Sequence, residues 1–149
     1  MRTLIQRVKH AEVNIDGQLH SHIGHGLLVF IGIEEADTRD DVDYLVGKIA
    51  RLRIFDDPNG VMNLDVQQTS GDVLVVSQFT LQAATRKGNR PSYIRAAREE
   101  ISKPLYEEFL ATMGDALGKS VPSGTFGADM QIELLNDGPV TIWIDSREK

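Results

Sequence analysis

Two stretches of this chain hold residues whose types and spacing could do chemistry. The first is SQFTL at 77–81, where Ser77 and Thr80 offer hydroxyls and Gln78 an amide. A hydroxyl becomes a nucleophile only beside a base that a third group holds in place. No sequence context assigns His10, His20, His22 or His25 to that task, and the 22 Asp and Glu residues are too many to choose among. The pattern alone therefore favours a strand leaving the core, with Ser, Gln and Thr meeting solvent. A metal reading of the histidines fares no better. His20 and His22 share a strand face, but a zinc site needs three or four convergent ligands, and the chain has no cysteine to help. No metal is expected.

The second stretch is LLNDGPVTIWID at 134–145. Val140, Ile142 and Ile144 alternate with Thr141, Trp143 and Asp145, the period of a half-buried strand. Residues 132–135 read as another strand. Gly138 and Pro139 lie between them, and such a pair does not suit the inside of a paired central strand. One reading is a tight Asn-Asp-Gly-Pro turn joining two hairpin strands. The other is a dipeptide presented to another molecule.

The elements that must position these stretches alternate between strand and helix patterns. Residues 2–9 and 11–15 read as an extended arm, with DGQ (16–18) turning into a strand at 19–23. GLLVFIGI (26–33) is apolar throughout, as a strand buried on both faces would be. A helix is expected after Thr38, which forms a capping-box pattern with Asp41; Val42, Leu45, Val46, Ile49 and Leu52 supply its apolar spacing. DDPNG (56–60) is a turn, MNLDV an extended piece, and DVLVVSQFTL (72–81) the most strand-like run. Helical patterning resumes near 92, and Pro104 suits the first turn of a helix striped by Leu105, Phe109, Leu110, Met113 and Leu117. The last third returns to strands at 121–126, 129–136 and 140–145. This order predicts an α+β domain with a curved, mainly antiparallel sheet and helices on one side.

At 149 residues the chain is expected to form one domain, 1–149, with a core large enough to stand without staples. The first residues lack the apolar core of a secretory signal, and no run reaches the roughly eighteen apolar residues of a membrane span. A soluble, intracellular protein is expected. The net charge of −6 argues mildly against a protein that coats nucleic acid. Charge is uneven, however: TRKGNRPSYIRAAR (85–98) carries five basic residues and no acid. Such a patch could hold one end of an RNA.

Six blocks together carry a resemblance: LIQRV (4–8), MNLDVQQ (62–68), VLVVSQFTL (73–81), KGNRPSY (87–93), SGTFGADM (123–130) and NDGPVTIWID (136–145). In order and content they resemble the D-aminoacyl-tRNA deacylases, and they span nearly the whole chain. The resemblance implies a cytoplasmic homodimer with a barrel-like sheet and helices packed outside. It implies hydrolysis of the ester joining a D-amino acid, or mischarged glycine, to the 3′ end of tRNA, with no metal or organic cofactor. Ser77, Gln78, Phe79 and Thr80 match the family's active-site strand end. There, backbone N–H groups would hold the oxyanion and the terminal adenosine's 2′-hydroxyl would help activate water. Gly138 and Pro139 match a Gly-cis-Pro motif that reaches into the other subunit's pocket and rejects L-residues. Arg7 matches the residue that braces the dipeptide, and Phe126 and Met130 fall in the block that lines the pocket. From charge alone, Arg86, Lys87 and Arg90 are candidates for tRNA phosphate contacts. Two alternatives stand beside this reading: a non-enzymatic homodimeric nucleic-acid-binding module, and a small esterase using Thr80 or Ser77 as nucleophile.

Overall fold

The computed structural model describes residues 1–149. Strand β1 (Arg2–Ile15) buries Thr3, Ile5 and Arg7 on one face, then slips phase so that Val8, Ala11 and Val13 are buried on the other. The slip falls where its ladder to the last strand is irregular, between Val8 and His10. β2 (Gln18–Ile23) and β3 (Gly26–Gly32) follow one another along a single edge of β1. Ala11 faces Ile23 and Val8 faces Gly26 in continuous antiparallel register.

β3 is buried on both faces, as its unbroken apolar run requires. Leu27, Val29 and Ile31 join one core cluster and Leu28 the other. Its far edge takes β6 (Asp72–Ser77) in parallel. Beyond β6, residues 122–124 add a partial rung, through Val75 N–H to Pro122 O and Gly124 N–H to Val75 O, both 3.0 Å. Ser21 Oγ donates to Ser123 O at 2.8 Å, which ties this rung back to β2. The sheet thereby curls into a half-barrel around Val8, Val13, Leu28, Leu74 and Val76. It is a mixed sheet, mostly antiparallel with one parallel pair, and the α+β expectation holds. Residues 121–126, expected as a strand, contribute only this rung.

Both helices pack on the convex face. α1 (Arg39–Ala50) starts as the capping box predicts, with Thr38 N–H donating to Asp41 Oδ2 at 2.8 Å. It buries Val42, Leu45, Val46 and Ile49 against Tyr106, Phe109 and Met113 of α2 (Glu99–Leu117) and the sheet. α2 begins seven residues later than the pattern suggested. Residues 92–98 are held instead by bridges from Ser92 to Ala84 and from Ala96 to Glu34. Pro104, expected in the first turn, lies in the second because α2 already begins at Glu99. A short hairpin, β4 (Phe55–Asp56) and β5 (Met62–Leu64), flanks the sheet. No helix is long and apolar enough to cross a membrane.

β7 (Gln131–Asp145) corrects the hairpin reading of the Gly-Pro stretch. It is one strand, paired antiparallel with β1 from Asn14↔Gln131 to Arg2↔Asp145. Between Val8↔Asn136 and Gln6↔Thr141, β1 advances two residues while β7 advances five, so Asp137–Val140 bulges from the ladder. The period-two pattern on either side was correct; pairing with a distant strand replaced the expected local hairpin.

Candidate active site

Where β3 and β6 end, a cavity of about 330 Å³ opens to solvent, lined mostly by apolar side chains. Ser77, Gln78 and Phe79 form one wall, Phe126 and Met130 another, and Ala97 and Ser102 approach from the start of α2. Five of the sequence candidates are thus brought together. Thr80 does not line this cavity, and neither do Arg7, Gly138 and Pro139.

The strand expected through 81 stops at Ser77, where the chain turns over β3. Gln78 N–H still bonds Ile31 O at 2.7 Å, but Leu81 N–H turns back to Gln78 O at 3.2 Å. Phe79–Gln82 is therefore a 3₁₀ turn. Gly32 admits it: a Cβ there would stand 2.8 Å from Gln78 O and 2.8 Å from Leu81 Cβ. The turn is clamped from behind by the buried Gln82, whose Nε2 donates to Gly32 O at 2.9 Å. Arg2 Nη1 also donates to Leu81 O at 3.1 Å, while its Nε is held by Asp145 at 2.9 Å. Phe79 and Thr80 precede the first hydrogen bond of the turn, so their N–H groups have no acceptor within it. Of the two, Phe79 lines the largely apolar cavity and Thr80 follows it in the same turn; fixed main-chain donors so placed suit a developing oxyanion.

The side chains offer no matching base. Thr80 Oγ1 accepts from Gln78 Nε2 at 2.6 Å, with no histidine or carboxylate among its partners. The histidines serve elsewhere: His25 packs edge-on against Phe55 at 5.0 Å, and His20 Nε2 lies 3.3 Å from Thr125 Oγ1. Phe126 rests on Tyr106, ring centroids 5.6 Å apart. Burial pushes the Tyr106 phenol up to about 12, so it stays a neutral donor to Val75 O at 3.2 Å.

The Gly-Pro bulge is exposed at its tip and braced at its base. Gly138–Pro139 is a cis peptide bond, and Gly138 has φ +142°. The buried Arg7 donates through Nε to Asp137 O at 2.8 Å and through Nη1 to Ile54 O at 2.6 Å. Sequence reasoning missed Asn136. Its Oδ1 accepts Val140 N–H at 3.0 Å and its Nδ2 donates to Val140 O at 3.1 Å, closing the neck of the bulge. Asparagine's habit of bonding nearby backbone was the available signal. Gln82 and Ser102 had none.

Within one chain the bulge and the cavity are far apart. Arg7 is level with Leu27 and Val73, whereas Ser77 is level with Ile31 and Thr3. Ser77 is thus roughly 13 Å along the strands from the level of the bulge, and Ile132, which lines the cavity from β7 itself, is level with Val13, six β1 residues or roughly 20 Å from Arg7. Arg86, Lys87 and Arg90 lie exposed on a loop closed by reciprocal Ala84–Ser92 hydrogen bonds of 2.8 and 3.0 Å. None of the three is in salt-bridge contact with a carboxylate.

This curled sheet with two outer helices is the architecture of the aminoacyl-tRNA deacylases. The chain matches a solved structure described as "Structural Analysis of a probable eukaryotic D-amino acid tRNA deacylase" with a TM-score of 0.83, over 96% of this chain and 97% of that one. At 18% identity that likeness is one of fold. A second structure, "c-Myc DNA Unwinding Element Binding Protein", matches with a TM-score of 0.92 at 37% identity, over 97% of this chain and 98% of that one. The family described as D-Tyr-tRNA(Tyr) deacylase matches residues 4–145, and the chain belongs to it. A relative from Parabacteroides distasonis named D-aminoacyl-tRNA deacylase is 61% identical over 149 residues, 100% of this chain and 99% of that one. The chain is accordingly an enzyme of the deacylase type, a hydrolase.

Proposed function

We propose that this chain, as one catalytic domain in the cytoplasm, hydrolyses the ester between a D-amino acid and the 3′-terminal ribose of tRNA. Free tRNA and the D-amino acid are released, and glycine attached to tRNA is removed likewise. The observation that carries the finer reading is the exposed bulge at Gly138–Pro139. It is held rigid by Arg7 and Asn136, yet it lies far from the cavity of its own chain.

A homodimer resolves that separation by placing each bulge at the partner's cavity. β7 supports such a pairing: its outer edge is free of strand partners, and Leu135 and Trp143 on it are 49% and 45% exposed. In the assembled site, the N–H groups of Phe79 and Thr80 hold the ester carbonyl as its oxygen becomes negative. Water adds to the carbonyl carbon with help from the 2′-hydroxyl of the terminal adenosine. The 3′-oxygen then leaves with a proton. No cofactor enters this scheme.

Selection of the D-hand follows from two fixed points. Main-chain carbonyls of the bulge accept from the substrate's α-ammonium, each such bond contributing about 1.5–3 kcal/mol. With the ammonium and the carbonyl both held, a D-side chain points outward and an L-side chain meets the Gly138–Pro139 wall. Glycine has no side chain and passes. A thousandfold preference requires about 4 kcal/mol, within reach of one such clash.

The test compares D-tyrosyl-tRNA, L-tyrosyl-tRNA and a simple ester. The proposal expects release from the D-substrate alone. Turnover of the simple ester would favour a side-chain nucleophile, and no turnover at all would favour a nucleic-acid-binding module.

A further inference from the structure

Two aromatic rings stand at the rim of the cavity without a core to pack into. Phe79 is 57% exposed and Tyr93 40%, and their rings meet edge-to-face at 5.1 Å and 75°. The next residue, Ile94, is 87% exposed. Aromatics are scarce in this chain, with five Phe, three Tyr and one Trp, so a paired display on the surface asks for a partner.

The surroundings point to the kind of partner. The loop leading to Tyr93 carries Arg86, Lys87 and Arg90, all exposed and none in salt-bridge contact, on a molecule whose net charge is −6. Arg95, by contrast, is engaged with Glu34 at 3.2 Å. Arg90 is three residues from Tyr93, at most about 10 Å of chain. One strand of nucleic acid can therefore meet both. Aromatic faces beside free cations are how proteins hold single-stranded nucleic acid without reading its sequence, since every base has a π-face. A subunit contact would use the apolar rings but would gain nothing from three like charges beside them.

We infer that Phe79 and Tyr93 form a stacking platform for the unpaired nucleotides preceding the terminal adenosine of tRNA, with Arg86, Lys87 and Arg90 on their phosphates. This rests on the deacylase reading above and extends it to how the RNA end is guided into the cavity.

Tyr93→Ala and Tyr93→Phe test it, with kcat/KM measured on D-tyrosyl-tRNA and on D-tyrosyl-adenosine, which lacks the preceding nucleotides. Where turnover of the small compound is too slow, its inhibition of tRNA hydrolysis is read instead. Tyr93→Ala should lower kcat/KM on the tRNA about tenfold, mainly through KM, and change the small compound by less than about twofold. Tyr93→Phe should stay near the wild type. An equal loss on both compounds, or no loss on the tRNA, overturns the platform, as does a smaller sedimenting species for Tyr93→Ala. If the wild-type protein hydrolyses neither compound, the deacylase reading itself falls.

Discussion

Arg7 Nε donates to the main-chain oxygen of Asp137 at 2.8 Å, joining residues 130 apart in sequence at the base of the Gly138–Pro139 bulge. The same guanidinium reaches Ile54 O at 2.6 Å. A planar fork can hold two carbonyls at fixed angles, whereas a lysine ammonium is a single flexible point. Arg7→Lys should therefore keep the fold at a cost of about 1–3 kcal/mol in denaturant unfolding. Hydrolysis of D-aminoacyl-tRNA should fall by about tenfold or more, because the bulge is no longer held in register. Unchanged kcat/KM would separate Arg7 from the site.

The Thr80 hydroxyl is tied to Gln78 and faces no base, so its backbone should matter more than its side chain. Thr80→Ala should retain activity within about tenfold, where loss of a covalent nucleophile costs several orders of magnitude. Substrate ending in 2′-deoxyadenosine should react far more slowly. The opposite pair of results would favour the esterase.

Salt and charge should act on binding rather than on the chemical step. Replacing Arg86, Lys87 and Arg90 together by glutamine should raise KM for tRNA, flatten its salt dependence by about three charges and leave kcat nearly unchanged. An unaltered KM would remove this loop from the tRNA contact.

Much of this was legible from local pattern. The Thr38–Asp41 cap, the doubly buried β3 and the alternation in 140–145 all depend on neighbours a few residues away. What was not legible depended on distant partners. Residues 132–145 form one bulged strand because β1 pairs along its entire length, and no local signal in the Gly-Pro stretch reports that. The strand through SQFTL ends early because Gly32, 45 residues before Ser77, makes room for a turn. The helical patterning near 92 is broken before α2 because Tyr93–Ala96 makes a single turn, closed by Ala96 N–H to Tyr93 O at 3.0 Å, and bridges at Ser92 and Ala96 tie it to Ala84 and Glu34. Residues of the cavity wall such as Ser102 carry no motif at all. In the Gly-Pro stretch itself, the family resemblance pointed to Arg7, while Asn136 emerged only from the geometry.

Asp145 couples stability to the site. Burial raises its pKa, but the N–H of Arg147, the Arg2 guanidinium and the chain's first ammonium outweigh burial and hold the carboxyl below its ordinary value. A depressed carboxylate stabilises the fold above its unfolded pKa, and that contribution is lost as pH falls through the folded value. Stability should therefore decline below about pH 4. Asp145→Asn should lower stability at pH 7 and make the acid decline shallower. It should also reduce activity, since Arg2 then loses its anchor beside Leu81 O. An acid decline identical to that of the wild type would contradict this account.

The central claim is that cavity and bulge come from different subunits, and mixing two inactive variants tests it directly. Gly138→Ala disables the bulge: a Cβ there would stand 2.8 Å from Val140 Cγ2 and 3.1 Å from Arg7 Nη2, at φ +142°. Ala128→Trp fills the cavity. Each variant alone should be nearly inactive on D-tyrosyl-tRNA while remaining folded. In an equal mixture refolded together, half the dimers are mixed, and each contains one intact site, so activity should return to about a quarter of wild type. No recovery in a mixture that demonstrably exchanges subunits would contradict the account and place bulge and cavity of one site in the same subunit.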